Sequence, residues 1–195
     1  MTEFEVVNGE LRLNKHITKL DQFVIDALSI LEKYANYVLI SGYVSIFFGR
    51  ARATEDVDLF IDEITPENFF KFYDEAVSRD YEFNIENPEE LYHEYLQDNL
   101  SINMWRKKLP LIRLEIKIAK KQSQKMSLKN KIKVFYNGGF LFFSPIEYQI
   151  AYKKAILKSD KDMEDARHLE IVFKNLNKEA IDSYTKLVLE EFKYG

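Results

Sequence analysis

The 195-residue chain contains no cysteine and only three histidines. Without thiols there is no disulfide, no thiolate zinc site and no thiol nucleophile, and the absence suits a reducing compartment. Three scattered histidines form no imidazole cluster for zinc. Long apolar runs are missing too. No stretch approaches the roughly 18 residues that cross a bilayer, and residues 1–13 lack the basic start and apolar run of a signal peptide. A cytoplasmic protein without membrane attachment is expected. Nor is positive charge in surplus, since the formal net charge of −4 gives no global attraction to nucleic acid. Basic residues do cluster at Arg106–Lys108, at Lys120–Lys121 and between Lys125 and Lys133. Such runs are usually solvated surface, although the last leaves RNA open as a partner.

What is present is an ample core for one domain: 46% hydrophobic residues, among them 15 Phe and 12 Tyr. Asn8-Gly9 between two short apolar runs signals a hairpin over Val6–Leu11. Ile17, Leu20, Val24, Leu28 and Leu31 form a helical stripe over 17–35. Tyr37–Ile40 suits a strand buried on both faces; it ends at Ser41-Gly42, and Val44–Phe48 reads as a short helix. From Asp56 to Asp62 the residues alternate, with Val57, Leu59 and Ile61 on one face and Asp56, Asp58, Phe60 and Asp62 on the other. Pro66 opens a helix to about Arg79, Tyr81–Glu86 reads as a strand, and Pro88 begins another short helix. Leu100–Trp105 and Leu111–Ala119 are further strands. Asn137-Gly138-Gly139 joins Ile132–Tyr136 to Phe140–Phe143 in a second hairpin. After Ser144-Pro145 helices are expected over 146–158, 161–174 and 178–192. Strands in the middle and helices at the end give an α+β fold. Residues 1–143 are expected to form a mixed β-sheet core with the N-terminal hairpin and helix. Residues 144–195 are expected to form a helical C-terminal lobe of the same compact unit.

The chemistry-bearing pattern is Asp56-Val57-Asp58. Residues two apart on a strand point the same way, with side chains roughly 7 Å apart. Two carboxylates on one face repel, and a hard divalent cation removes that penalty; Mg²⁺ typically takes one or two carboxylates plus substrate phosphates. A bare pair of this kind equally suits a solvent-facing strand edge. Ser41-Gly42 adds a second feature: a buried strand opening into a helix presents backbone N–H groups to an anion, and glycine permits close approach. Arg50, Arg52 and Thr54 lie between the two and offer further donors to phosphate oxygens.

Leu39-Ile40-Ser41-Gly42-Tyr43, Gly49-Arg50 and Thr54-Glu55-Asp56-Val57-Asp58-Leu59 together resemble the signature of the DNA polymerase beta-type nucleotidyltransferase superfamily. Ser41-Gly42 departs from that signature in the order of its turn pair. The likeness is to the minimal members, including the abortive-infection toxin type. Ser144-Pro145-Ile146-Glu147, Lys153 and Lys161–Asp165 are similar to that subgroup's later motifs. The resemblance implies that Lys153 contacts nucleotide phosphate and that Asp162, or failing it Asp165, belongs to the active site. Lys154, Lys158 and Glu164 read as ordinary exposed helix charges. The superfamily's third carboxylate falls on Glu115, central on the polar face of Leu111–Ala119, where aspartate is usual; a simple pairing of Glu115 with Arg113 or Lys117 is the alternative.

The implied activity is transfer of a nucleoside monophosphate from an NTP such as ATP to a hydroxyl, releasing pyrophosphate. Asp56, Asp58 and Glu115 would be the catalytic and metal-holding set for Mg²⁺ or Mn²⁺. Ser41, Gly42, Arg52, Thr54, Lys153 and Asp162 would bind the nucleotide. The acceptor is open among a protein hydroxyl, a transfer RNA end and a small molecule such as an antibiotic. Two other readings remain at this point: a non-catalytic nucleotide-binding antitoxin paired with a HEPN-type toxin, and a metal-dependent phosphodiesterase using the same acids.

Overall fold

The computed structural model describes residues 3–7 and 10–193. Among these residues nine strands form a single mixed sheet, the α+β architecture expected, and helices pack on both of its faces. The strands are β1 (Glu3–Val7), β2 (Glu10–Asn14), β3 (Tyr37–Leu39), β4 (Asp56–Ile61), β5 (Tyr81–Phe83), β6 (Ile102–Arg106), β7 (Leu109–Ile118), β8 (Ile132–Tyr136) and β9 (Gly139–Phe143). Their order across the sheet is β1-β2-β8-β9-β3-β4-β7-β6-β5. Strands β1 and β2 pair antiparallel as the first hairpin signal predicts; its Asn8-Gly9 turn lies outside the described residues.

The helices are α1 (Lys19–Leu31), α2 (Ser41–Phe47), α3 (Pro66–Ser78), α4 (Pro88–Glu90), α5 (Gln122–Lys129), α6 (Ile146–Tyr152), α7 (Asp160–Val172) and α8 (Lys178–Lys193). Local chemistry sets several of their starts. Thr18 and Asp21 form a reciprocal capping box on α1. Thr65 caps α3 and Pro66 occupies its first turn, where a missing N–H costs nothing. Both α4 and α6 run on into wider π-type turns, at Leu91–Leu96 and Lys153–Leu157.

The parallel pairing of β4 with β7 organises the centre. On one face Val57, Leu59, Ile61, Leu114, Ile116 and Ile118 are all buried in a core shared with α1 and α3. The opposite face carries Asp56, Asp58, Arg113, Glu115 and Lys117 in register. Phe60 was placed on that polar face by alternation, yet it is buried against Val38 and Ala119 with Leu128 alongside. The cover is α5, which the sequence reading missed because Lys120–Lys133 reads as basic surface. Its two buried positions are serines, Ser123 and Ser127, so it carries almost no apolar stripe to read. Strand β5 is shorter than expected, because Asn84 leaves the ladder and its side-chain carbonyl accepts from the Asn103 N–H at 2.8 Å.

Candidate active site

The turn after β3 begins the site. Helix α2 starts at Ser41 itself, three residues earlier than the sequence suggests. Ser41 has φ +62°, a left-handed conformation that non-glycine residues seldom adopt. Its backbone N–H donates to Oε1 of the buried Gln149 at 2.9 Å, and Gln149 Nε2 donates to Ser144 Oγ at 2.6 Å. That N–H is therefore not free for an anion, contrary to the sequence expectation. Gln149, on α6, carried no sequence signal, because one polar residue in a helical stripe looks like surface. The need for glycine at 42 also differs from the expected one. A Cβ there would lie 2.4 Å from Nη2 of Arg52, so Gly42 admits the guanidinium that crosses the turn. Arg52 Nε is enclosed with no hydrogen-bond partner.

The acidic strand lies beside this turn, tied to it by the Ile40 N–H donating to the Asp58 carbonyl at 3.0 Å. Thr54 donates its hydroxyl to the Asp56 carbonyl at 2.9 Å, shaping the entry to β4 rather than standing free as a donor. Register places Asp56 opposite Arg113, Asp58 opposite Glu115, and Asn103 of β6 on the far side of Glu115. Asp56 accepts from Arg113 Nε at 3.0 Å, and Glu115 pairs with Lys117 at 2.6 Å. Among the described residues Asp58 has no ion-pair partner. Burial pushes its carboxyl above the ordinary carboxylate range and the charge of Glu115 pushes further, with a smaller push from Asp56; the Ser41 hydroxyl and Lys117 pull the other way. Among the described residues no three Asp, Glu or His side chains are gathered tightly enough to ligate an ion as they stand. The three expected carboxylates thus share one face of adjacent strands without converging, because two of them are turned to basic neighbours. Their chemistry fits a divalent cation: all donors are hard oxygens, and Asp58 carries repulsion that such an ion removes.

The third component comes from α6 and α7. Asp165 is fully buried, and its carboxylate faces three cations. It accepts from Arg52 Nη1 at 2.8 Å and Lys153 Nζ at 2.8 Å, and it pairs with Arg50. Arg50 also pairs with Glu164 and donates to the Lys161 carbonyl. Lys153 is only 1% exposed, enclosed between Asp165 and Asp162. Asp162 stands at the rim, 3.3 Å from Lys153, where it also joins the Ser159 cap of α7. Asp165, ranked second to Asp162 on the sequence, is the hub. Its position four residues before Leu169 on a buried stripe is the signal that marks it. Lys154 lies apart, paired with Glu170.

A turn, an acidic strand pair and a buried basic–acidic cluster thus meet at one end of this sheet. No protein-family model matches the chain, and no curated protein matches it in sequence. Solved structures do. The lincosamide antibiotic adenylyltransferase LnuA, lincomycin-bound, aligns at TM-score 0.54 and 15% identity over 82% of this chain and 100% of its own. The antibiotic-resistance factor ANT(2'')-Ia aligns at TM-score 0.56 and 12% identity over 89% of this chain and 92% of its own. An antigenic nucleotidyltransferase-like protein from Paracoccidioides brasiliensis aligns at TM-score 0.53 and 14% identity, over 88% and 87%. The fold is that of the nucleotidyltransferases.

Proposed function

We propose that the protein is a nucleotidyltransferase that moves a nucleoside monophosphate from an NTP to a hydroxyl acceptor, with release of pyrophosphate. The observation that carries this reading is the β4–β7 register. It sets Asp58, a partly buried carboxylate without a cation, opposite Glu115 and two residues from Asp56, beside the Ser41-Gly42 turn.

In this reading Asp56, Asp58 and Glu115 would hold Mg²⁺ or Mn²⁺ in place of the pairings that Asp56 makes with Arg113 and Glu115 with Lys117. The ion supplies charge neutralisation for the attacking and leaving oxygens of an in-line displacement. Glu115 takes the proton of the acceptor hydroxyl, Ser41 offers its side-chain hydroxyl to the outer phosphates, and Thr54 fixes the start of β4. Arg52, with its orphaned Nε and its guanidinium over Gly42, sets positive charge beside the triphosphate. Lys153 and Asp162 border the same space, Lys153 offsetting phosphate charge from behind Arg52. Retention of both strand aspartates and a carboxylate opposite them favours catalysis over a non-catalytic antitoxin module. The hydroxyl-bearing antibiotics acted on by fold neighbours make a small molecule the first acceptor class to try.

The test uses NTPs labelled at the α-phosphorus, with Mg²⁺, a panel of hydroxyl-bearing antibiotics and a cell extract, following pyrophosphate release and label transfer together. Label appears in an acceptor with the native protein, and Asp58→Asn reduces transfer by at least about a thousandfold, as loss of a metal ligand implies. Undiminished transfer by a folded Asp58→Asn protein overturns the assignment.

A further inference from the structure

Strands β8 and β9 carry an aromatic and basic face that the transfer chemistry does not use, beside β2, where Arg12 lies between Glu5 and Glu10. Register puts Arg12 beside Phe135, Phe135 opposite Phe140 and Lys133 opposite Phe142, all on the sheet face that bears Asp58. The rings form a chain, Phe135 to Phe140 at 6.0 Å between centroids and Phe140 to Phe142 at 5.4 Å. Phe140 is exposed, and Phe135 and Phe142 are half-buried. Phe142 packs partly against the core beside Tyr37, whereas Phe135 and Phe140 lie outside the core, whose interior Val134, Leu141 and Phe143 already fill.

The cations on this face rest on rings. Lys133 Nζ lies 3.8 Å from the Phe140 centroid and 4.8 Å from that of Phe135, and Lys131 Nζ lies 4.1 Å from that of Phe142. Arg12 lies over Phe135 at 5.1 Å, sharing its charge with Glu10. Among the described residues neither Lys131 nor Lys133 has a carboxylate partner. Lys131 also lines a depression of about 590 Å³ with Lys125 and Lys129 of α5, where Asp62 and Glu63 form the opposite rim. Lys131 and Lys133 therefore stand on a run of three mutually tilted rings, and Lys125 and Lys129 share the depression with Lys131.

We infer that this face docks an unpaired polynucleotide strand, its bases stacking on Phe135, Phe140 and Phe142 and its phosphates meeting Lys131, Lys133, Lys125 and Lys129. Alternating ring and cation is the chemistry by which single strands are held without regard to sequence. A duplex, with its bases already stacked and enclosed, offers nothing to the rings. The inference stands independently of the transfer reaction, because docking needs neither NTP nor metal.

Fluorescence anisotropy of the full-length protein with labelled unpaired 12-nucleotide RNA, the same strand as DNA, and a 12-base-pair duplex tests it at several salt concentrations. The unpaired strands bind saturably and more tightly than the duplex. Phe140→Ala weakens them by about tenfold, and Lys133→Glu lowers the slope of log affinity against log salt by about 0.7 or more. Relative affinity for RNA and DNA separates the two sources of strand. Circular dichroism shows whether each variant folds, and the exposed Lys133→Glu carries the test if Phe140→Ala does not. Absence of saturable binding, equal binding of the duplex, or affinities unmoved in the folded variants overturns the inference. So does sedimentation showing that the face instead joins two copies of the chain.

Discussion

Asp58 is the central carboxylate of the proposed site, and its environment affects stability in the absence of any ion. Its folded-state carboxyl titrates above the ordinary range, because burial and Glu115 disfavour the charged form. Below the ordinary carboxylate range both the folded and unfolded chains hold the proton, and Asp58 costs nothing. As pH rises the unfolded chain ionises first while the folded chain retains its proton, so stability falls through the window between the two values. In EDTA, Asp58→Asn is therefore expected to melt with the native protein near pH 3 and above it at pH 7, the gap opening as pH rises past the ordinary carboxylate value and complete above the raised one. Adding MgCl₂ at pH 7 reverses the order. At a hundredfold excess over its dissociation constant the ion stabilises the native protein by about 2.7 kcal/mol, and it leaves Asp58→Asn nearly unmoved. Differential scanning fluorimetry across pH, with and without the ion, reads both effects. A native protein whose melting temperature ignores Mg²⁺ and Mn²⁺ would remove Asp58 from the metal-binding set.

At the scale of elements, the central strands were legible because alternation is a strong signal wherever one face is buried. Val57, Leu59 and Ile61 against Asp56 and Asp58 gave β4 to within one residue. The same rule put Phe60 correctly on the face of Asp56 and Asp58, but alternation carries no sign that this face is covered there by α5. That helix is held by polar contacts rather than by an apolar stripe. The Ser123 N–H and hydroxyl donate to the two Glu191 carboxylate oxygens at 2.7 and 2.6 Å, joining its first turn to α8. Such a tie between residues 68 apart has no local signature in the sequence. Glu191→Ala is expected to cost about 2 kcal/mol, the usual range for hydrogen bonds to a charged group. Amide exchange should quicken in Gln122–Lys129 and in α8 while β4 and β7 stay protected. Unchanged exchange in α5 would mean that Leu128 alone holds the helix down.

At the scale of the whole molecule, the site was legible in its parts and not in its assembly. The Ser41-Gly42 turn, the aspartate pair, Lys153 and the acidic run near 162–165 can each be read from the chain. Their meeting depends on contacts more than 100 residues apart, as between Arg50 or Arg52 and Asp165. Asp165 joins the loop before β4 to both α6 and α7 through one fully buried carboxylate, so its effect extends beyond its own helix. Removing a buried charge and leaving its partners uncompensated typically costs about 3–5 kcal/mol. Asp165→Ala strands Arg52 and strips Arg50 and Lys153 of one of their two carboxylates, and urea melts should register a loss in that range. Replacing the pair together, Lys153→Met with Asp165→Leu, removes one of these charges and fills the space with apolar groups. It is expected to recover part of the loss, because a well-packed apolar substitute often matches a buried ion pair. The recovery stays partial, since Arg50 keeps Glu164 while Arg52 keeps no carboxylate. If the double variant proves no more stable than Asp165→Ala, the stability resides in the arginine contacts alone.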